Sequence, residues 1–126
     1  MINNDSETKI VCDFTYLKEM MSHKENLIKG IMDAFLKQIP DELVRMKEAV
    51  SKVDYVAIRS IAHAMKSSVS IMGISLLAPY LREMEDLGAS AAGIEKIKEL
   101  HDNVILICKL AVVEIEKEME EYSAQK

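Results

Sequence analysis

A histidine near the middle of the chain stands among residues that could support chemistry on its imidazole ring. Residues 54–73 read DYVAIRSIAHAMKSSVSIMG, and their apolar members recur at helical spacing: Ile58, Ile61, Ala62, Met65, Val69 and Met72. The other face of such a helix carries polar residues three and four positions apart: Arg59, His63, Lys66 and Ser70. The sequence therefore predicts a helix that presents the His63 imidazole to solvent, with the Lys66 ammonium group one turn away.

The arrangements that define common enzyme classes are missing from the sequence. No G-x-S-x-G pattern positions a nucleophile, and four scattered glycines cannot build a phosphate cradle. None of the three histidines lies three residues after a glutamate, so the Glu-x-x-His pairs of two-metal bundles are absent. Most of the acidic residues fall on predicted solvent faces, which leaves little support for a two-carboxylate hydrolase. We therefore predict no metal site, and a metal- or haem-binding bundle is the least favoured hypothesis.

Length and composition predict one globular domain. The chain has 126 residues, of which 49% are hydrophobic, enough for a single core. Its net charge of −5 disfavours nucleic acid and anionic membrane surfaces as partners, because both require a basic face.

Cysteine usage and hydropathy indicate a cytoplasmic protein. Cys12 and Cys108 form no C-x-x-C pair, which favours a reducing compartment. The first residues lack the features of a signal peptide. The most apolar run, residues 104–113, is about half a membrane span and contains Lys109, so we expect no membrane insertion.

Turn and capping residues divide the chain into helices. Asp13 can cap a short helix through Met21, and residues 22–25 have the S-x-x-E form of a capping box that would open a helix to about Gln38. Pro40 then marks either a kink or a break before a further helical piece, residues 41–50.

The second half of the chain divides in the same way. Asp54 is a candidate cap for the histidine helix and Gly73 its candidate end. Ser75 is predicted to cap the following helix and Gly88 to end it, with a small-residue loop over residues 89–93. A last helix runs from Ile94 to about Tyr122.

These elements predict an all-α fold, because no strand alternation occurs anywhere in the sequence. Short connections make sequential helices antiparallel neighbours, so we expect an up-down antiparallel four-helix bundle with a short extra N-terminal helix. The predicted organisation is a flexible tail over residues 1–12, the bundle over residues 13–122 and a C-terminal tail over residues 123–126.

The histidine segment and its neighbours resemble the histidine-containing phosphotransfer (Hpt) domain family. The family pattern is H-x-x-K-G-S followed by glycine five or six residues later, and residues 62–73 read AHAMKSSVSIMG. The resemblance continues through L-x-x-x-L-R-E-M-E-D-L-G (residues 77–88), and upstream through DFTYLKEM and FLKQIPDEL. It covers residues 13–122. The chain departs from the pattern at Ser67, where the family usually has glycine.

The resemblance implies a phosphocarrier rather than an enzyme. His63 would take a phosphoryl group from the aspartate of a response-regulator receiver domain and pass it to another receiver. Lys66 would stabilise the phosphoryl charge. The protein would need no cofactor of its own, because the receiver supplies Mg²⁺. A hybrid sensor histidine kinase would act upstream. We expect the protein to be a monomer.

Four further residues complete the predicted site as binding residues. Ser67 either crowds the approach of a receiver or hydrogen-bonds to the phosphoryl oxygens or the ring, and Glu85 could orient the imidazole. Arg59 could add positive potential or contact the receiver, and Ser70 lies on the same helix face. Ser68 and Gly73 are expected to be structural, as are His23 and His101. The alternative hypothesis is a helical adaptor that binds a signalling partner and never carries phosphate.

Overall fold

Five helices build the described part of the chain. The computed structural model describes residues 10–124, with backbone only for residues 123 and 124, and no strand occurs in that range. The helices are α1 (Thr15–Met20), α2 (Glu25–Ser51), α3 (Tyr55–Ile71), α4 (Leu77–Ser90) and α5 (Ile94–Ala124). Helices α2 and α4 each pack against both α3 and α5, which closes a four-helix ring around one core. The predicted all-α bundle with a short N-terminal helix is confirmed.

Helix α3, which carries His63, is fixed at both ends and along its apolar face. The Asp54 carboxylate accepts a hydrogen bond from the Ala57 N–H at 3.1 Å, as its predicted role as N-cap requires. Gly73 follows the helix with φ of +68°, a left-handed conformation that glycine adopts without steric cost. Between these ends, the predicted apolar positions at Ile58, Ala62 and Met65 are fully buried.

Helix α2 runs without a break through Pro40. The sequence did not decide between a kink and a break at this proline. The structure shows one helix of 27 residues. Proline removes one backbone hydrogen bond, which costs about 3 kcal/mol or more in a helix interior. Phe35 and Ile39 before the proline and Met46 after it are buried on the same face. Burial of this shared face offsets the loss, because each such side chain contributes about 1.5–3 kcal/mol.

The predicted capping box at the start of α2 is wrong. Ser22 and His23 both have left-handed backbones, and Lys24 precedes α2 without any side-chain cap. The N–H of Ser22 donates to the Glu19 carbonyl and that of His23 to the Lys18 carbonyl. These two residues therefore end α1 rather than begin α2.

Both predicted ends of α4 also differ from the structure. Leu76, not Ser75, precedes the helix, and no side chain caps it. The helix continues past Gly88 to Ser90, and Ala91 takes the left-handed position. Gly88 is instead buried against α3, where an added Cβ would lie 3.0 Å from the Tyr55 carbonyl oxygen. Its small size serves helix packing.

The chain joins the bundle earlier than the predicted boundary at residue 13. Val11 and Cys12 are buried, and their N–H groups each donate to the Glu114 carboxylate at 2.8 Å. The Asp13 N–H donates to the Gly73 carbonyl at 3.1 Å. These partners are remote in sequence, so no local pattern predicts them. The remainder of the expected tail, residues 1–9, lies outside the described residues, as do residues 125 and 126 of the expected C-terminal tail.

Candidate functional site

The His63 ring stands on the solvent face of α3. Its side chain is 71% exposed, and Nδ1 lies 2.7 Å from Oε2 of Glu85 on α4. An ionised carboxylate can only accept a hydrogen bond, so this partner assigns the ring proton to Nδ1. The Nε2 atom of His63 then carries the free lone pair. The geometry thus leaves an unprotonated ring nitrogen on a side chain that is largely exposed to solvent.

Glu85 also binds the lysine of the predicted site. Its Oε1 lies 2.5 Å from the Lys66 Nζ, while its Oε2 contacts His63. Hydrogen bonds from Lys66 and, secondarily, from His63 hold the pKa of the Glu85 carboxyl below its ordinary value. The carboxylate therefore remains ionised at neutral pH and links the imidazole to the ammonium group.

Arg59 lies in the same shallow pocket as the imidazole. The pocket has a volume of about 330 Å³ and is lined by Val56, Arg59, Ser60, His63 and Glu85. Val56 and Ser60 are not among the site residues predicted from the sequence. Their spacing could have identified them, since they precede His63 by seven and three residues and so share its helix face.

The two remaining predicted residues lie outside this pocket. Ser67 is exposed on α3 and makes no side-chain hydrogen bond within the described residues. Ser70 lines a second groove that begins at Lys66 and leads away from the imidazole. The structure therefore brings together His63, Glu85, Lys66 and Arg59 at one centre, and places the two serines beyond it.

Among the residues that the structure describes, the other histidines and the acidic residues form no second centre of this kind. His101 is buried and His23 lies exposed in the turn before α2. Within residues 10–124, no group of three or more His, Cys, Asp or Glu side chains could hold a metal ion. Over the same range, none of the helices combines the length and the apolar character needed to cross a bilayer.

Comparison with known proteins identifies the family. A model of the Hpt domain matches residues 30–125, which include all of α3 and α4. The chain belongs to the Hpt domain family. Members of the Hpt family are histidine phosphotransfer proteins of phosphorelays, and Hpt domains interact with the receiver domains of two-component systems. No curated protein sequence gives a significant match.

A solved Hpt structure shows the same fold. The crystal structure of histidine-containing phosphotransfer protein B (HptB) from Pseudomonas aeruginosa superposes with a TM-score of 0.82 at 22% sequence identity. The match covers 91% of this chain and 99% of that chain. The bundle described above is therefore the Hpt fold over nearly its whole length.

Proposed function

We propose that His63 is the phosphoacceptor of this Hpt protein, taking a phosphoryl group from a receiver aspartate and passing it to another receiver. The observation that supports this role is the bond from an exposed His63 ring to Glu85. That bond places the proton on Nδ1 and leaves Nε2 free to attack.

The proposed step keeps the Nδ1 proton in place throughout. The Nε2 lone pair of His63 attacks phosphorus, and the bond from phosphorus to the aspartyl oxygen breaks, releasing a carboxylate. The phosphorylated ring then carries a positive charge while Nδ1 remains protonated. Glu85 already lies 2.7 Å from Nδ1, so its carboxylate stabilises that charge without rearrangement. Transfer to the second receiver is the same step in reverse.

Lys66 would act on the phosphoryl oxygens. The ammonium group lies one helical turn from His63 and is positioned by Glu85. A unit positive charge about 4 Å from a unit negative charge contributes about 1 kcal/mol in water and about 4 kcal/mol at an effective dielectric constant near 20. Glu85 reduces this contribution by neutralising part of the lysine charge.

The remaining chemistry would come from the partners. We assign Mg²⁺ and the acidic pocket to the receiver domain, and the first phosphoryl donor to the receiver of a hybrid sensor histidine kinase. We further propose that the protein acts as a cytoplasmic monomer.

Ser67, in place of the family glycine, exposes a hydroxyl one turn after His63, and this hydroxyl has no competing partner among the described residues.

The experiment is label transfer from receivers charged with radioactive acetyl phosphate. Every receiver of the source organism is tested in turn, with the wild-type protein and the His63→Gln variant as acceptors. We expect wild-type protein to take up acid-labile, base-stable label and His63→Gln to take up none, since Nε2 is the attacking atom. Circular dichroism verifies that the variant is folded.

His23→Gln is the matched control, because it removes an exposed histidine that lies outside the pocket. It should be labelled at the wild-type rate. If the His63→Gln variant still took up label, the phosphoacceptor would be a residue other than His63. Absence of label on the wild-type protein with every receiver, combined with stable receiver binding, would favour the adaptor hypothesis instead.

A further inference from the structure

A groove between α3 and α4 begins beside the phosphotransfer site. It has a volume of about 260 Å³, and Lys66 at one end connects it to the Glu85 and His63 centre. Its lining includes one cation on α4, Arg82, together with buried or half-buried apolar side chains: Val69, Ile74 and Ala78. The groove is thus continuous with the site, and its lining contains both apolar and positively charged side chains.

The two positive charges of the groove differ in their partners. Lys66 is paired with Glu85 at 2.5 Å. Arg82 is exposed and makes no ion pair with any residue in the described part of the chain, including Asp86 one turn further along α4. Arg82 is therefore an exposed cation without an ion-pair partner in a groove that begins one helical turn from His63, on a protein whose net charge is −5.

We propose that Arg82 is a docking residue that selects the receiver partner by binding an Asp or Glu side chain on its surface. This inference rests on the proposed phosphotransfer through His63. A receiver whose aspartate reaches His63 must cover the neighbouring end of the groove, because Lys66 borders both. The guanidinium group binds carboxylates in a two-bond geometry, and the apolar lining suits an apolar side chain beside that acid.

Charge pairing at the rim of an interface acts mainly on the association rate. Such a pair increases the rate of encounter and weakens as salt screens it. Arg82 would therefore affect how often a receiver docks, while the step between phosphorus and Nε2 inside the complex would proceed unchanged. The partner that fits is a receiver with an acidic residue flanked by an apolar one.

The test uses the full chain and the receiver that transfers fastest to the wild-type protein. Phosphotransfer reactions are stopped at set times at increasing acceptor concentration. They give the apparent KM and the saturated rate for three variants: Arg82→Glu, Arg82→Lys and Lys109→Glu. Lys109 is exposed on α5, outside the groove, so its variant makes the same charge change elsewhere.

We expect Arg82→Glu to raise the apparent KM about tenfold at low salt, with the difference shrinking as salt is raised and the saturated rate unchanged. The apparent KM of Arg82→Lys should remain closer to the wild-type value, and that of Lys109→Glu should match it. Equal KM values for Arg82→Glu and Lys109→Glu would overturn the docking role, as would a loss confined to the saturated rate. Failure of the wild-type protein to accept label would instead remove the proposed function itself.

Discussion

Glu85 is the residue that organises the site, because its carboxylate contacts both His63 and Lys66. One carboxylate oxygen fixes the His63 tautomer and the other holds the Lys66 ammonium group. Both contacts hold the Glu85 pKa low, with the hydrogen bond from Lys66 the larger cause. A single side chain on α4 therefore contacts both polar side chains of the site on α3.

Replacing Glu85 by Gln should slow phosphotransfer without displacing His63 from the surface. The amide oxygen accepts a weaker hydrogen bond than the carboxylate, so fewer rings carry the proton on Nδ1. We expect the rate at saturating receiver to fall by about tenfold, the scale on which supporting partners of functional histidines act. Nitrogen NMR of the His63 ring should show more protonated Nε2. An unchanged tautomer ratio would contradict this account.

At the scale of elements, the contact between α3 and α4 decides whether Glu85 reaches His63. These two helices form the most extensive helix pairing among the described residues. At Gly88, one turn after Glu85, an added Cβ would lie 3.0 Å from Arg59 Cβ and 3.0 Å from the Tyr55 carbonyl oxygen. The close approach at Gly88 thus brings the orienting carboxylate within bonding distance of the ring.

Gly88→Ala should therefore destabilise the protein by about 1–3 kcal/mol, since overpacking outweighs the better helix propensity of alanine. Separating the helices should also slow phosphotransfer, because it lengthens the bond between Glu85 and His63. Chemical unfolding and transfer kinetics measure the two effects.

Gly30→Ala is the matched control for this substitution. Gly30 also lies inside a helix, but nothing would contact its added Cβ within 4 Å. We expect it to stabilise the protein by about 0.5–1 kcal/mol. A Gly88→Ala protein as stable as Gly30→Ala would show that the α3–α4 approach is not tight.

At the scale of the whole molecule, several groups have depressed pKa values that link stability to pH. Burial lowers the pKa of His101, hydrogen bonds from Thr15 lower that of Asp13, and the contacts described above lower that of Glu85. In each case the unfolded chain binds a proton more readily than the folded chain. Each group therefore contributes stability that is present above its unfolded pKa and is lost as the pH falls through its folded pKa.

We expect the free energy of unfolding to fall in two stages on acidification. The first begins below pH 6.5, the ordinary value for His101, and the second below pH 4.5, the ordinary value for Glu85. Urea unfolding between pH 3 and pH 7 measures both. Glu85→Gln should flatten only the second stage; equal slopes for variant and wild type below pH 4.5 would refute the linkage.

The sequence by itself determined the bundle and the exposed histidine. Apolar spacing along residues 58–72 predicts both the buried face and the position of His63 opposite to it, because helical periodicity is a local property. Asp54 and Gly73 act as predicted for the same reason: a cap and a left-handed turn depend on a few adjacent residues. Together with the motif, these features were enough to indicate the family.

Only the tertiary structure decided which groups meet. Ser22 had the pattern of a cap, yet its N–H donates to the Glu19 carbonyl. The next N–H, that of His23, donates to the Lys18 carbonyl, so both residues close α1 and neither caps α2. Gly88 had the pattern of a helix end, yet it serves packing against α3. Glu85 was predicted to reach His63, but its simultaneous hold on Lys66 depends on how closely two helices approach. Such distances arise from the packing of the whole core, which no local spacing encodes.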